Sequence, residues 1–319
     1  MKMMASKMTK ILIIGSNGYV GSNLIRYYSR YTKVTLFGIS RRKNKSLLLK
    51  KNYVGNINDE PFLKSINQKF DIIINCAAQT KHFGLKKEFY ETNVRSVVSL
   101  LSTFNGTYKT FIHLSSEAVF LNGKIPLLHE RTPLPNKTLS DYAWSKNLAE
   151  REIDNFKQTS GGKIIVIRPR LIWGGFNSIV SLKLTEAIKN KIFFFVEHGD
   201  YLTSSTHIYN LYLGINKAVK FGKNKQKYFI IDKSPIKFNA LINIILRKKI
   251  NVPSLPRWLI YIMCNLADLL YYLSFKKIRL PISRSLYFLT FSEVIIDNSY
   301  TKKMIQYSPT PIEKLIREY

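Results

Sequence analysis

Residues 11–14, ILII, form an unbroken apolar run that stops at Gly15, and from Tyr19 onward apolar residues return at helical spacing as Val20, Leu24 and Ile25. A short apolar run bounded by glycine predicts a strand buried on both faces, and the change of period predicts a helix straight after it. The alternation continues. KVTLFGI (33–39), NYVG (52–55), FDIIINCAA (70–78), KTFIHLSS (109–116) and KIIVIRP (163–169) read as strands. EFYETNVRSVVSLLSTF (88–104) and DYAWSKNLAEREIDNF (141–156) read as helices, the second capped by Asp141 or Ser140. Strands alternating with helices predict an α/β chain with a doubly wound parallel sheet over residues 1–175, whose ligands lie at the carboxyl ends of the strands. Gly15, Cys76 to Ala78, Ser116 and Pro169 all fall at such ends.

Beyond residue 170 the pattern loosens. IFFFV (192–196) and KYFIID (227–232) read as strands and FNALINIILRKK (238–249) as a helix, so residues 176–319 are expected to form mainly a smaller C-terminal lobe that binds substrate, with later segments returning to the sheet. WLIYIMCNLADLLYYLSF (258–275) admits three readings: a packed helix, a peripheral membrane contact or a membrane span. Asn265 and Asp268 near its middle would be costly in lipid, whereas Arg257 on one side and Lys276 with Lys277 on the other suit phospholipid headgroups.

Composition narrows the class. With 319 residues, 45% of them hydrophobic and 13% aromatic, the chain can bury a sizeable core and is not disordered. Fifty Lys plus Arg against twenty Asp plus Glu give a formal charge of +30, which favours anionic partners. The lysines are scattered and no nucleic-acid-binding motif occurs, so nucleic acid is not an expected partner. Cys76 and Cys264 show neither a disulfide framework nor metal-ligand spacing, and no metal is expected. The apolar run after the basic N-terminus is too short for a signal peptide, so the expected location is the cytoplasm.

Two local patterns carry chemistry. In GSNGYVG (15–21), Gly15 can make the turn, Gly18 lets backbone approach a ligand, and Gly21 lets helix pack on strand. The helix N-terminus then faces something anionic, most simply a pyrophosphate. In YAWSK, Tyr142 and Lys146 stand four apart on one helix face, where an ammonium would lower the phenol's pKa and make it a usable acid/base. His82, His113, His198 and His207 carry no such pattern and are expected to be structural.

Several motifs in order resemble the extended short-chain dehydrogenase/reductase superfamily, the NAD-dependent epimerase/dehydratase family. They are GSNGYVG, NCAAQT, ETNVRSVVSLL, HLSSEAVF, YAWSK, RPRLIWG, SSTHIYNL and a C-terminal tail IDNSYTKKMIQYSPTPIEKLI, spread over about residues 10–315. The resemblance implies a Rossmann-type fold, an NAD(P) cofactor and a catalytic set of Ser116, Tyr142 and Lys146. Tyr142 would exchange a proton with the reacting oxygen, Ser116 rather than Ser115 would hydrogen-bond that oxygen, and Lys146 would hold the nicotinamide ribose. Gly15, Asn17, Gly18, Tyr19, Val20 and Gly21 would line the pyrophosphate, Ala77 and Ala78 the adenosine ribose, and Pro169 to Ile172 the nicotinamide. Asn93 would support the proton network, and Asn56 with Ile57 would meet the adenine.

Departures from the family's pattern matter. The end of the second strand reads GISRRKN, where a carboxylate would bind the ribose hydroxyls of NAD. Ser40, Arg41 and Arg42 suit a 2′-phosphate instead, which favours NADP(H). Phe120 stands where the family has tyrosine. The substrate lobe resembles those of bacterial surface-polysaccharide epimerases and reductases, implying a sugar on a nucleotide diphosphate or polyprenyl diphosphate, with 4-epimerisation or keto-sugar reduction as the reaction. It also resembles 3β-hydroxysteroid dehydrogenase-like members acting on apolar alcohols. A non-catalytic NADP-sensing protein is the alternative from another class. A homodimer and, through 258–275, the inner face of a membrane are the remaining expected partners.

Overall fold

The computed structural model describes residues 8–81, 84–124, 127–159, 161–274, 277–278, 280 and 282–318. His82, Phe275 and Lys276 lie outside the described residues. The N-terminal half runs β1 (Thr9–Ile14), α1 (Tyr19–Tyr28), β2 (Val34–Ser40), β3 (Lys51–Val54), α2 (Glu60–Lys64), β4 (Phe70–Asn75), α3 (Lys86–Tyr90), α4 (Ser96–Thr103), β5 (Tyr108–Leu114), α5 (Asp141–Asn155) and β6 (Lys163–Pro169). Then come β7 (Ile172–Trp173), α6 (Ile179–Lys189), β8 (Phe195–Val196), β9 (Leu202–Thr203), β10 (Thr206–His207), α7 (Ile208–Phe221), β11 (Lys227–Ile230), β12 (Ile236–Lys237), α8 (Phe238–Leu246), β13 (Ser254–Leu255), α9 (Arg257–Leu273), α10 (Arg284–Thr290), α11 (Ser299–Ile305) and α12 (Ile312–Glu318).

Seven strands form one parallel sheet in the order β11-β6-β5-β4-β1-β2-β3. Strand order reverses between β1 and β4, where Ile14 pairs with Asn75, and this is where open α/β sheets hold ligands. Both faces of the sheet are covered. Ile11 and Ile13 point to one buried cluster with α1 and α7, while Leu12 and Ile14 point to another with α4 and α5. The all-apolar runs seen in the sequence follow from that two-sided burial.

A separate cluster built from Phe195, Val196, Tyr201, Phe238, Ile242, Ile260 and Cys264 forms the core of the C-terminal region. Between the two, β11 returns to the sheet edge beside β6, with Tyr228 opposite Ile167. Cys264 is buried and Cys76 partly so, and both are free.

Three expectations change in detail. The helix expected over 88–104 is two helices joined by a π-helical turn, Glu91–Arg95. The strand expected over 192–196 is only Phe195–Val196, paired with β13. Of the two candidate caps of α5, Ser140 is the one used, its Oγ accepting from Ala143 N at 3.2 Å.

Candidate active site

The glycine turn connects β1 to α1 at the reversal of strand order. Gly15 has φ +79°, the left-handed region, and a Cβ there would stand 3.0 Å from Ala77 N. A Cβ on Gly21 would meet the Gly15 carbonyl oxygen at 2.3 Å, so only glycine lets the helix sit this close. Gly18 caps α1 without a side-chain oxygen, and the first backbone bond into the helix is Ser22 N to Gly18 O at 2.9 Å. The amides of Tyr19, Val20 and Gly21 therefore have no partner within the helix, and they form a cradle fitted to a phosphate group.

Neighbouring side chains brace this cradle. Asn17 Nδ2 donates to Arg42 O at 2.8 Å, tying the turn to the basic loop after β2. The Tyr19 hydroxyl donates to the carbonyl of Gly174, and Val20 packs on the core, so these two side chains hold the turn in place. Ala77 N donates to Asn75 Oδ1 at 3.1 Å and Ala78 follows, half-buried beside the turn. Arg41 and Arg42 are exposed at the end of β2, whereas the buried Ser40 uses its hydroxyl to donate to Arg42 O at 2.7 Å. Asn56 is exposed, its side chain accepting from Asn58 N at 3.0 Å, and Ile57 packs against the core.

Across the sheet's carboxyl edge, α5 presents Tyr142, Lys146 and Glu150 on one face at successive turns. Lys146 is 2% exposed and its Nζ donates to the Leu114 carbonyl at 2.7 Å. Burial lowers its pKa to about 8, partly offset by the Glu150 carboxylate. Ser115 Oγ donates to Glu150 Oε1 at 2.6 Å, and Arg168 grips that carboxylate through Nε (3.0 Å) and Nη2 (2.5 Å). The first serine of the pair is thus engaged elsewhere. Ser116, the second, donates to Glu117 Oε2 at 2.7 Å and stands close enough to Tyr142 to affect its ionisation.

One expectation is corrected. The Tyr142 pKa is raised rather than lowered: burial pushes it up first, the Glu117 carboxylate adds to this, and the nearby Ser116 hydroxyl offsets only part. Lys146 spends its ammonium on a backbone carbonyl, and the phenol stays firmly protonated. Asn93 lies in the π-helical turn. Its Nδ2 donates to Gln79 O (3.0 Å) and Ser145 Oγ (2.9 Å), and its Oδ1 accepts from Gln79 N (2.7 Å). Ser145 in turn donates to the Tyr142 carbonyl at 2.8 Å, so Asn93 fastens the Tyr142 helix to the loop after β4.

Pro169 ends β6, and Leu171 follows at φ +40°, strained for a non-glycine residue. Ile172 pairs with Thr206 in a two-residue ladder. Below it, Asp232 is buried and accepts four hydrogen bonds, from Ser205 Oγ (2.7 Å), Trp173 Nε1 (2.9 Å), His207 N (2.8 Å) and Asn210 Nδ2 (2.7 Å). His113 is buried with Nδ1 3.4 Å from Asn75 Nδ2, and His207 caps α7. Burial lowers both pKa values, that of His207 to about 4. His198 is exposed in a left-handed turn.

Tyr142 packs with Leu121, Phe288 and Leu289, which together with Phe120, Leu128 and Val294 wall a narrow cleft that has Glu117 and Arg170 at its polar end. Glu117, Glu150, Arg168 and Asp232 had no role in the reading of the sequence, and Arg170 entered it only within the 169–172 stretch expected at the nicotinamide. The available signals were the helical spacing of Glu150 from Lys146 and the place of Glu117, Arg168 and Arg170 inside the motifs HLSSEAVF and RPRLIWG. Among the described residues no group of His, Cys, Asp and Glu could hold a metal ion.

The model of the NAD-dependent epimerase/dehydratase family matches residues 11–194. The chain belongs to this family. Its cofactor is accordingly NAD(P), and the glycine cradle fits that group. A 4-hydroxy-2-methyl-3-oxo-4-farnesyl-3,4-dihydroquinoline-1-oxide ketoreductase of Stigmatella aurantiaca is 26% identical, covering 94% of this chain and 92% of that one. A decarboxylating sterol-4-alpha-carboxylate 3-dehydrogenase of Dictyostelium discoideum is 26% identical over 76% of this chain and 77% of its own. Among solved structures, UDP-glucuronic acid 4-epimerase from Bacillus cereus in complex with NAD superposes with a TM-score of 0.69 at 17% identity, covering 95% and 94%.

Proposed function

We propose that the chain is an NADP(H)-preferring oxidoreductase that reduces a ketone to a secondary alcohol on a bulky, largely apolar substrate such as a prenyl-bearing ring. The observation that carries this reading is a phenol held protonated and packed with apolar side chains, Leu121, Phe288 and Leu289, in a chain similar over 94% of its length to a ketoreductase of a farnesyl-bearing ring. A proton donor ready before catalysis suits reduction, because the carbonyl oxygen must gain a proton as its carbon gains a hydride. The bound reduced dinucleotide supplies that hydride. Tyr142 delivers its proton to the oxygen, Ser116 sets the phenol's orientation, and Lys146 meets the nicotinamide ribose. Residues 1–175 hold the cofactor and residues 176–319 mainly the substrate. Similarity to the farnesyl-substrate ketoreductase runs through both regions, which supports an apolar substrate.

A ketone on a polyprenyl-diphosphate-linked sugar is the second reading, favoured by the charge of +30 and by a fold shared with a UDP-sugar epimerase. Initial-rate loss of NADPH absorbance with a prenylated cyclic ketone, a steroid ketone and a UDP-4-keto-sugar separates the two. Turnover of the sugar alone would overturn the first choice, and turnover without net NADPH loss would indicate epimerisation.

The partner surface we propose is an anionic bilayer, met on its cytoplasmic side by α9. Ile260, Cys264 and Ala267 face the core, while Trp258 (65% exposed), Leu266 (54%), Leu269 (52%) and Leu273 (67%) form a stripe on the other side. Asn265, the amide within that stripe, turns its Nδ2 back to Tyr261 O at 2.7 Å and so presents less unpaired polarity. Residues 247–292 hold eight basic side chains against Asp268 alone, a charge suited to anionic headgroups. Among the described residues no helix is long and apolar enough to cross a membrane, so the helix lies in the surface. The packing of α9 on α10, whose Phe288 and Leu289 wall the cleft, would bring the site close to a membrane-dissolved substrate.

A further inference from the structure

The helix whose first amides form the phosphate cradle also grips a distant segment with its side chains. Tyr19, Asn23 and Arg26 follow one another at steps of four and three along α1 and so share one face. All three reach residues 174–176, where the chain leaves β7 and runs toward α6. The Tyr19 hydroxyl donates to the Gly174 carbonyl. Asn23 takes both backbone groups of Phe176: its Nδ2 donates to Phe176 O at 2.8 Å, and its Oδ1 accepts from Phe176 N at 2.9 Å. The same Nδ2 donates to Tyr19 O at 2.8 Å, so the amide is fixed in orientation, and the residue is 2% exposed. The Arg26 guanidinium lies 4.2 Å from the centre of the Phe176 ring.

The gripped segment has a costly backbone that needs such partners. Leu171 (φ +40°) and Asn177 (φ +52°) are left-handed without being glycine, and Gly174 and Gly175 are left-handed between them. A Cβ on Gly175 would stand 2.6 Å from both Asn23 Oδ1 and Ile208 Cγ2, so the segment is wedged between α1 and the start of α7. Just before it lie Pro169 to Ile172, the stretch expected at the nicotinamide, and just after it Leu184 of α6 packs on the C-terminal core. We propose that Asn23 is a positioning residue for the dinucleotide: by pairing with both backbone groups of Phe176 it holds residues 172–176 as a strap beside the phosphate cradle, and the strap retains the nicotinamide half of the cofactor. This rests on the reading of the site as one for NADP(H). In the same reading the adenosine half lies toward Arg41, Arg42 and Asn56, and its binding does not depend on the strap.

Asn23→Leu keeps the side chain's size and removes both hydrogen bonds to Phe176, whereas Asn23→Asp sets a second oxygen against the carbonyls of Phe176 and Tyr19. The first readout needs no cofactor. In hydrogen–deuterium exchange of the apoprotein, peptides covering residues 172–178 should exchange about tenfold faster in both variants, with peptides of β1 and α5 unchanged. The second readout is retention of ligand. In stopped-flow displacement NADPH should leave either variant about tenfold faster, while the Kd of 2′,5′-ADP, which carries the adenosine half alone, should stay within about twofold of wild type. A merely structural role would weaken both ligands together. Should the buried substitutions fail to fold, Arg26→Ala, which loosens only the ring contact on an exposed side chain, should move both readouts in the same direction by about twofold. Exchange over 172–178 identical in wild type and the variants overturns the proposal, and so does equal weakening of NADPH and 2′,5′-ADP. Wild type that binds neither NADPH nor NADH would sink the cofactor reading and the proposal with it, whereas NADPH held by the variants as long as by wild type sinks the proposal alone.

Discussion

Lys146 Nζ donates to the Leu114 carbonyl at 2.7 Å, which places an ammonium at the end of β5 with almost no access to water. Burial brings its pKa down to about 8 from 10.5. Above that value the free enzyme loses the charge that would meet the nicotinamide ribose. kcat/KM for the dinucleotide, which reports the free enzyme, should therefore fall as pH rises through about 8. Tyr142 cannot be the source of this limb, since its own pKa is raised far above it. A flat profile from pH 7 to pH 10 would refute the assignment. The stability effect has the opposite sign. Between about 8 and 10.5 the unfolded chain holds a proton that the folded chain has released, so this group's contribution to stability rises with pH across that window and is least below it.

Tyr142→Phe should abolish reduction, with kcat lower by about a thousandfold or more, while NADPH still binds. Titration of the variant with NADPH, followed by nicotinamide fluorescence, checks the second half. Retained turnover of a panel ketone by this variant would remove the phenol from the mechanism.

Asp232 is a structural keystone. Its four donors are Trp173 of β7, Ser205 before β10, His207 at the end of β10 and Asn210 of α7, so one carboxylate ties the β7–β10 ladder to the helix that follows it. In Asp232→Asn an NH2 group replaces an oxygen that accepts two of those bonds. The buried donors left unpaired should cost about 2–4 kcal/mol, read as a lower thermal midpoint by differential scanning calorimetry. An unchanged midpoint would mean that the network is dispensable.

Much of this was legible in the sequence, and the reason is physical. A strand buried on both faces is apolar through its centre, as the 11–14, 72–74 and 164–167 runs are in this parallel sheet. Gly15 and Gly21 were equally readable, because a φ of +79° favours glycine and a Cβ 2.3 Å from a carbonyl oxygen excludes every other residue. The polar residues were not. Glu117, Arg170 and Asp232 are far apart along the chain and look like ordinary surface residues until the fold buries them. Proximity in the sequence also misled: Tyr142 and Lys146 are one turn apart, yet the ammonium bonds Leu114 and the phenol's pKa is governed by burial and Glu117.

Cofactor choice should depend on Arg41 and Arg42. Both are exposed where β2 ends, and Asn17 and Ser40 hold the Arg42 carbonyl from two sides, which fixes the loop against the glycine turn. A guanidinium there could bind a 2′-phosphate in a two-point contact. Arg41→Ala with Arg42→Ala should weaken NADPH about tenfold or more and leave NADH nearly unchanged, measured by fluorescence titration of each. Equal losses for both would show that the arginines act only through general charge.

The α9 stripe predicts lipid binding with a defined chemistry. Its apolar residues should insert among acyl chains while nearby lysines and arginines meet headgroups, so both terms are needed. The protein should sediment with vesicles containing phosphatidylglycerol and much less with phosphatidylcholine alone, and added salt should weaken the association through the charged term. Leu266→Asp with Leu269→Asp should release it, since those side chains are about half exposed and the fold does not depend on them. If the variant binds as well as wild type, the stripe is not the contact. If the stripe instead joins two copies of the chain, light scattering will show wild type as a dimer and this variant as a monomer, with vesicle binding absent in both. Binding by wild type alone would also bear on substrate, because α10 lies between this helix and the cleft, a short path for a ketone dissolved in the bilayer.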